Sequence, residues 1–416
     1  MQPVRKGHAV RIRSLSGGLD LTYCTNIYAG ETWPEVAAAL DEHVPAIRRE
    51  LGMEERLGIG LRLSGVAAAA LAEAPALAAF RAQLDRLGAY VFTVNAFPYG
   101  PFHGVAVKEQ VYQPDWRSPE RLRFTCQVAG ILAQLLPPGG FGTISTVPGA
   151  FRTAAGSAAA RAEIVAGLVA AAAALVRIGR EQSRHIVLAL EPEPACLLET
   201  VEDTLAFFAD HLFGADAVAR MAALTGLAPG PALAALRSHL GVCYDVCHGA
   251  VVFENPLLAI RRLRAAGIRV AKIQLSAAIR VPAFTPEAAE LLPAFDDGVY
   301  LHQTTVRTGQ ALRRFTDLPE ALAVLDPAAE GGEVRVHCHV PLYLPRLGAL
   351  ETTQADLLPV LDAAMPEALA PHLEVETYTW DVLPRPVHDG GKAQGIAREL
   401  RFVLDRLAEP AAERAA

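Results

Sequence analysis

The run LGVCYDVCHG (240–249) decides how this chain is read. Leu240–Tyr244 is continuously apolar, Asp245 ends it, and His248 follows three residues later. Continuous apolarity over a strand's length suits a parallel strand covered by helices on its outer side. Similar runs lie upstream at LDLTYCTNI (19–27), LGIGLRLS (57–64), YVFTVNAF (90–97), GTISTV (142–147) and HIVLALE (185–191). Downstream they are VAKIQLS (270–276), VRVHCHV (334–340) and LEVETY (373–378).

Helix signals separate these runs. Thr32–Glu35 is a capping box with proline in the first turn, Ser118 opens a helix that PPGG closes, and Thr200 opens another. Strand then helix, repeated about eight times, predicts a (β/α)8 TIM barrel. Nine runs are one too many. VRVHCHV is the odd one, because the stretch between it and VAKIQLS has no helix–strand rhythm. Residues 277–345 are therefore expected to form an elaborated loop after strand seven, with LEVETY as strand eight. The expected organisation is one domain over 15–410, with flexible termini at 1–14 and 411–416. The alternative, a doubly wound open sheet, finds no G-x-G-x-x-G or G-x-x-x-x-G-K-[ST] motif to support it.

Composition narrows the functional classes. The 416 residues are 52% hydrophobic and 20% charged, a globular balance with material for a large core. A net charge of -7 gives no electrostatic reason to expect nucleic acid or an anionic membrane as partner. The N-terminus has no apolar stretch behind its basic residues, so no secretory signal is expected. IVAGLVAAAAALVRIG reads as a buried amphipathic helix and no membrane span is expected. Six cysteines in a chain this long do not make a disulfide framework; free buried thiols and a reducing cytoplasm are expected.

Several strand runs end in ligand-type residues: Glu191 and Glu193, Asp245 and His248, Gln274, His337 and His339, Glu374 and Glu376. In a barrel these ends face one mouth, where active sites are built. Converging carboxylates and imidazoles match an oxygen/nitrogen site for a divalent ion such as Mn, Mg, Zn or Fe. His337 and His339 lie two apart on one face of an extended run, either as ligands or as solvent-facing side chains of a hairpin. Asn95 and Ser145 sit at strand ends. Tyr99, His103 and Lys108 lie on a Gly/Pro-shaped aromatic loop after strand three, able to act as a lid over a ligand. These five are the substrate-side candidates.

This pattern resembles the xylose isomerase-like TIM barrels, which include sugar isomerases and epimerases and endonuclease IV type enzymes. That resemblance implies a metal held by a Glu after strand five, an Asp in D-x-x-H after strand six, a His after strand seven and a Glu after strand eight. Glu191, Asp245 with His248, and Glu376 fill three of these places, with Glu191 and Glu376 as proton carriers. Gln274 stands where the relatives usually have His, and H-C-H at 337–339 stands where the endonuclease IV type has D-x-H. His337 and His339 would supply the missing imidazole. A narrower set, LTYCTNIYAGETW, NAFPYGPFHGVAVKEQVYQPDW, STVPGAF, YDVCHGAVVFE and HCHVPLY, resembles the EboE family of metabolite traffic proteins. It implies a small-molecule metabolite as partner, and other proteins of the same gene cluster.

Two classes follow. One is a metal-dependent enzyme, isomerase- or epimerase-like, acting on a small hydroxy-carbonyl or polyol compound. The other is a metabolite-binding protein that keeps the pocket without turnover, a reading that the Gln274 departure favours. A DNA-repair role ranks third, since the chain lacks basic excess.

Overall fold

The computed structural model describes residues 11–14, 17–327, 331–381 and 391–408. The expectations for residues 1–10 and 411–416 lie outside this range. Eight of the nine apolar runs become parallel strands: Gly17–Tyr23 (β1), Leu57–Arg62 (β2), Ala89–Asn95 (β3), Phe141–Thr146 (β4), His185–Leu190 (β5), Leu240–Asp245 (β6), Arg269–Leu275 (β7) and His372–Val375 (β8). They hydrogen-bond in the order β1-β8-β7-β6-β5-β4-β3-β2, with helices between them in sequence. The (β/α)8 barrel expected from the sequence is formed. Arg11–Ser14, expected as part of a flexible terminus, is a strand paired antiparallel to β1.

The seam between β1 and β2 is the thinnest part of the wall. It is held by one bridge, Cys24 to Gly60, and by two threonines. Thr22 Oγ1 donates to the Gly58 carbonyl at 2.7 Å, and Thr25 Oγ1 accepts from the Arg62 amide at 2.8 Å. Gly60 is required by close approach: a Cβ there would lie 1.6 Å from Glu374 Oε1.

The barrel's helices start as the sequence signals indicate. Trp33–Leu51 has the Thr32/Glu35 capping box, and Val201–Phe207 has one from Thr200 and Asp203. The apolar Ala158–Gln182 helix buries Ile164, Leu168, Ala172 and Leu175. Among the described residues it alone is long and apolar enough to cross a bilayer, and half of its most apolar window is buried inside the fold. All six cysteines are free, five of them buried.

The ninth run leaves the barrel, as expected. Glu333–Val336 joins a six-stranded antiparallel sheet between β7 and the Gln354–Ala364 helix. It pairs with Ile279–Val281 on one side and Thr304–Thr308 on the other. Val334, Val336, Ile279, Val281 and Val306 are buried and tie this sheet into the main core. The inserted sheet runs on through Leu350–Thr352, past the expected boundary at 345. On its other face Arg335 donates to the Ala250 carbonyl at 2.7 Å and pairs with Asp356 at 3.0 Å, fastening the insertion to the barrel.

Candidate metal centre

Parallel strands present their C-terminal ends on one side, so the polar residues that end β5, β6 and β8 meet there. Glu191 follows β5, and its amide donates to the Thr146 carbonyl at 3.1 Å. The alternating prolines of Glu191-Pro192-Glu193-Pro194 keep this segment extended, and both carboxylates reach the cluster. Asp245 ends β6 and caps the short Val246–Val251 helix: Oδ1 accepts from the Cys247 amide at 2.7 Å and from Ser276 Oγ at 2.5 Å. That leaves Oδ2 buried without a hydrogen bond. Glu376 follows β8, and its Oε1 accepts from Asn26 Nδ2 at 2.8 Å and Asn95 Nδ2 at 2.9 Å.

The insertion contributes the rest. After Val336 the chain leaves its sheet, and His337 and His339 drop into the barrel mouth beside His248. The three rings lie close together: 4.7 Å between His248 and His337, 5.2 Å between His337 and His339, and 5.9 Å between His248 and His339. Each ring is fixed through Nδ1. His248 Nδ1 meets the Pro192 carbonyl at 2.9 Å, and His337 Nδ1 meets Gln303 Oε1 at 2.6 Å. His339 Nδ1 meets the Glu376 carbonyl. These partners accept, so each Nδ1 carries a proton and, in the neutral ring, Nε2 keeps its lone pair. Nε2 of His248 and of His339 each lie 3.7 Å from Asp245 Oδ2. Nε2 of His337 and of His339 are buried with no hydrogen bond.

A second layer orders this set. Tyr112 donates to Glu193 Oε1 at 2.8 Å, and Gln303 Nε2 donates to the Tyr112 hydroxyl at 2.9 Å. Gln303 thus links Glu193 to His337 and fixes the tautomer of that imidazole. This is the outer-shell arrangement that orients metal-binding histidines.

Burial sets the charge states. It raises Glu191 to about 8, with Asp245 adding to the rise against the pull of His248. Burial also raises Glu376, and Glu191 and Asp245 push further in the same direction. It lowers His337 and His339, keeping both neutral. Burial is the largest influence on Asp245 and His248 and opposes their charged forms, but their neighbours together outweigh it: His248, His339 and Ser276 lower Asp245, and Asp245, Glu193 and Glu191 raise His248. Ligand atoms of Glu191, Asp245 and Glu376 lie within 4.8 Å of one another, as do those of Asp245, His248 and His339, and those of Glu193, His248 and His337. Buried carboxylates and neutral imidazoles crowded this closely, with Asp245 Oδ2, Glu191 Oε2 and two Nε2 atoms unpartnered, fit a divalent cation.

The structure sorts the residues expected from sequence. It brings Glu191, Asp245, His248, His337, His339 and Glu376 together. Asn95 and Lys108 line the cavity beside them. Gln274 is buried on β7 in register with Asp245 and Glu374, and is not among the lining residues. Ser145 lies inside the barrel, where its Oγ accepts from Lys272 Nζ at 3.4 Å; Lys272 in turn pairs with Glu374 at 2.5 Å. Tyr99 turns outward to Glu120, at 2.6 Å, and His103 packs edge-on against Phe102. Neither reaches the cavity among the described residues, because the loop carrying them folds Phe102 and Val107 inward instead. Glu193, a weaker sequence candidate than Glu191 because it follows Pro192 into the loop, joins the cluster. Three participants escaped sequence reading, Asn26 among them. Tyr112 and Gln303 lie in stretches with no local signal.

No protein-family model and no curated protein matches the chain. Solved structures do. A xylose isomerase-like TIM barrel protein from Mycobacterium smegmatis, in complex with magnesium, is similar at TM-score 0.52 and 11% identity, over 94% of this chain and 96% of that one. The fold is that of the xylose isomerase-like TIM barrels. A D-tagatose 3-epimerase-like protein (TM-score 0.46, 12% identity, 95% of this chain and 99% of that one) and the IOLI protein with a bound zinc atom (0.44, 12%, 93% and 98%) are more distant.

Proposed function

We propose that this chain is a divalent-metal enzyme, isomerase- or epimerase-like, acting on a small hydroxy-carbonyl or polyol metabolite. Three histidines tied through Nδ1, two of them 3.7 Å from the unpartnered Asp245 Oδ2, are the observation that carries this reading. Asp245, His248, His339, Glu191 and Glu376 would hold the ion, with His337 and Glu193 beside them. Bound there, a divalent cation supplies Lewis acidity to neighbouring substrate oxygens and lowers the cost of charge developing on them.

The protein's own groups do the rest. Asn26 and Asn95 hold Glu376 Oε1, orienting its carboxylate toward the cavity. Without a cation, burial raises Glu191 to about 8; a divalent cation held there would draw off that proton and leave a carboxylate beside the substrate, able to take a proton up and give it back. Two carboxyl groups on one cavity provide the removal and return of a proton that epimerisation or isomerisation beside a carbonyl requires.

The EboE-type role in metabolite traffic, with other proteins of that gene cluster as partners, is proposed on the sequence motifs alone. The test is turnover of α-hydroxy ketones and polyols by metal-loaded protein, followed by solvent deuterium incorporation. Glu376→Gln is expected to abolish exchange. Wild-type protein that holds metal yet exchanges no proton on any such substrate would sink the enzymatic reading.

A further inference from the structure

The wall facing the metal centre is apolar. The cavity is lined on that side by Phe97, Phe102, Val107, Val111, Tyr300 and Tyr378. Three of these form one aromatic surface: Phe102 to Tyr300 is 5.0 Å, Tyr300 to Tyr378 is 5.0 Å and Phe102 to Tyr378 is 5.5 Å between ring centres. Tyr378 continues it to the metal centre, 4.7 Å from the His339 ring. Three separate segments supply the rings: the loop after β3, the insertion, and the segment after β8. The loop and the insertion are bonded to each other, with the Val107 and Lys108 amides both donating to the Val299 carbonyl, at 2.9 and 3.1 Å. The wall is therefore built, not left over.

The same lining is poor in cations. Among the described residues Lys108 is its only Lys or Arg, and its Nζ is held by Asp317 at 2.6 Å and Asp296 at 3.8 Å. Three lining carboxylates, Glu191, Glu193 and Glu376, face the same space. A phosphate recognised by this protein would need guanidinium, free ammonium or a run of backbone amides. The lining offers acids and rings instead.

Building on the metal reading, we propose that the ligand is an unphosphorylated compound with adjacent hydroxyl and carbonyl oxygens at one end and an apolar ring body at the other. The oxygens meet the metal centre and the ring lies against Phe102, Tyr300 and Tyr378.

Three probes with one head group test it: 2-hydroxyacetophenone, dihydroxyacetone and dihydroxyacetone phosphate, titrated calorimetrically into manganese-loaded protein whose metal content is measured by mass spectrometry. The phenyl compound is expected to bind at least about tenfold more tightly than dihydroxyacetone, with the phosphate giving no gain. Phe102→Ala and Tyr300→Ala should each remove about tenfold of that preference while leaving metal content unchanged. Tighter binding of the phosphate than of the phenyl compound overturns the ligand class, as does equal binding of the phenyl compound and dihydroxyacetone, with the metal reading left standing. Wild type that takes up no metal refutes the metal reading instead; the phenyl preference and its loss in the two variants still decide the ligand class.

Discussion

Asp245→Asn isolates the metal centre from the fold. Asparagine caps a helix as well as aspartate, and its Oδ1 keeps the bonds from the Cys247 amide and Ser276 Oγ. What changes is Oδ2, which becomes an amide nitrogen facing His248 and His339 Nε2 at the present 3.7 Å. A metal-binding oxygen is replaced by a donor that occupies the lone pairs. Losing an outer-shell partner costs about 10–100-fold in metal affinity, and losing a ligand should reach at least the upper figure. At a manganese concentration of about 100 times the wild-type Kd, binding stabilises the wild type by about 2.7 kcal/mol; a hundredfold weaker variant retains about 0.4 kcal/mol. Without metal the variant should be somewhat less stable than wild type, because its neighbours hold the Asp245 carboxyl below its ordinary range and its charge therefore stabilises the fold at neutral pH. The readout is the manganese-dependent increment in each protein, which this baseline difference does not touch. The assay is urea denaturation with and without manganese, beside metal content by mass spectrometry on protein purified without nickel. Equal metal content and equal manganese-dependent stabilisation in the two proteins would refute the assignment.

Two further outcomes are expected. Gln303→Leu removes the acceptor that fixes His337 Nδ1, 2.6 Å away, without replacing any residue that would hold the ion; metal affinity should fall by about 10–100-fold, and an unchanged manganese titration would show that Gln303 does not orient the site. Burial alone would raise Glu333, but Arg280 and Arg335 outweigh it and hold the carboxyl at about 2 against an ordinary 4.5. A depressed folded-state value stabilises above the ordinary one and is lost as pH falls toward it. Glu333→Gln should therefore be destabilised at neutral pH, with a deficit that closes between about pH 4.5 and 2. A deficit in urea denaturation that stays constant across this range would contradict that account of how the insertion is fastened.

The sequence by itself determined the barrel and the direction in which its chemistry faces. A parallel strand buried on both faces is mostly apolar, so HIVLALE and LGVCYDV announce themselves and the first polar residue of each marks the mouth; LEVETY carries Glu374 within the strand and Glu376 just past its end. Glu191, Asp245 and Glu376 were legible for that reason, and His248 because it follows Asp245 by three residues. VRVHCHV was recognisable as a strand outside the count, and its histidines as candidate ligands.

Only the tertiary structure decided which polar residues meet. Asn26 reaches Glu376 across 350 residues of sequence, and Gln303 joins Glu193 to His337 from within the insertion. No local periodicity encodes such contacts, because they arise from where the insertion docks on the barrel. The same docking turns Phe102, rather than Tyr99 or His103, toward the cavity, and seats Tyr300 opposite the metal centre. Hydrophobic patterning acts over a few residues and sets each strand; the match between site and ligand depends on side chains brought together by closure of the whole barrel and its inserted sheet.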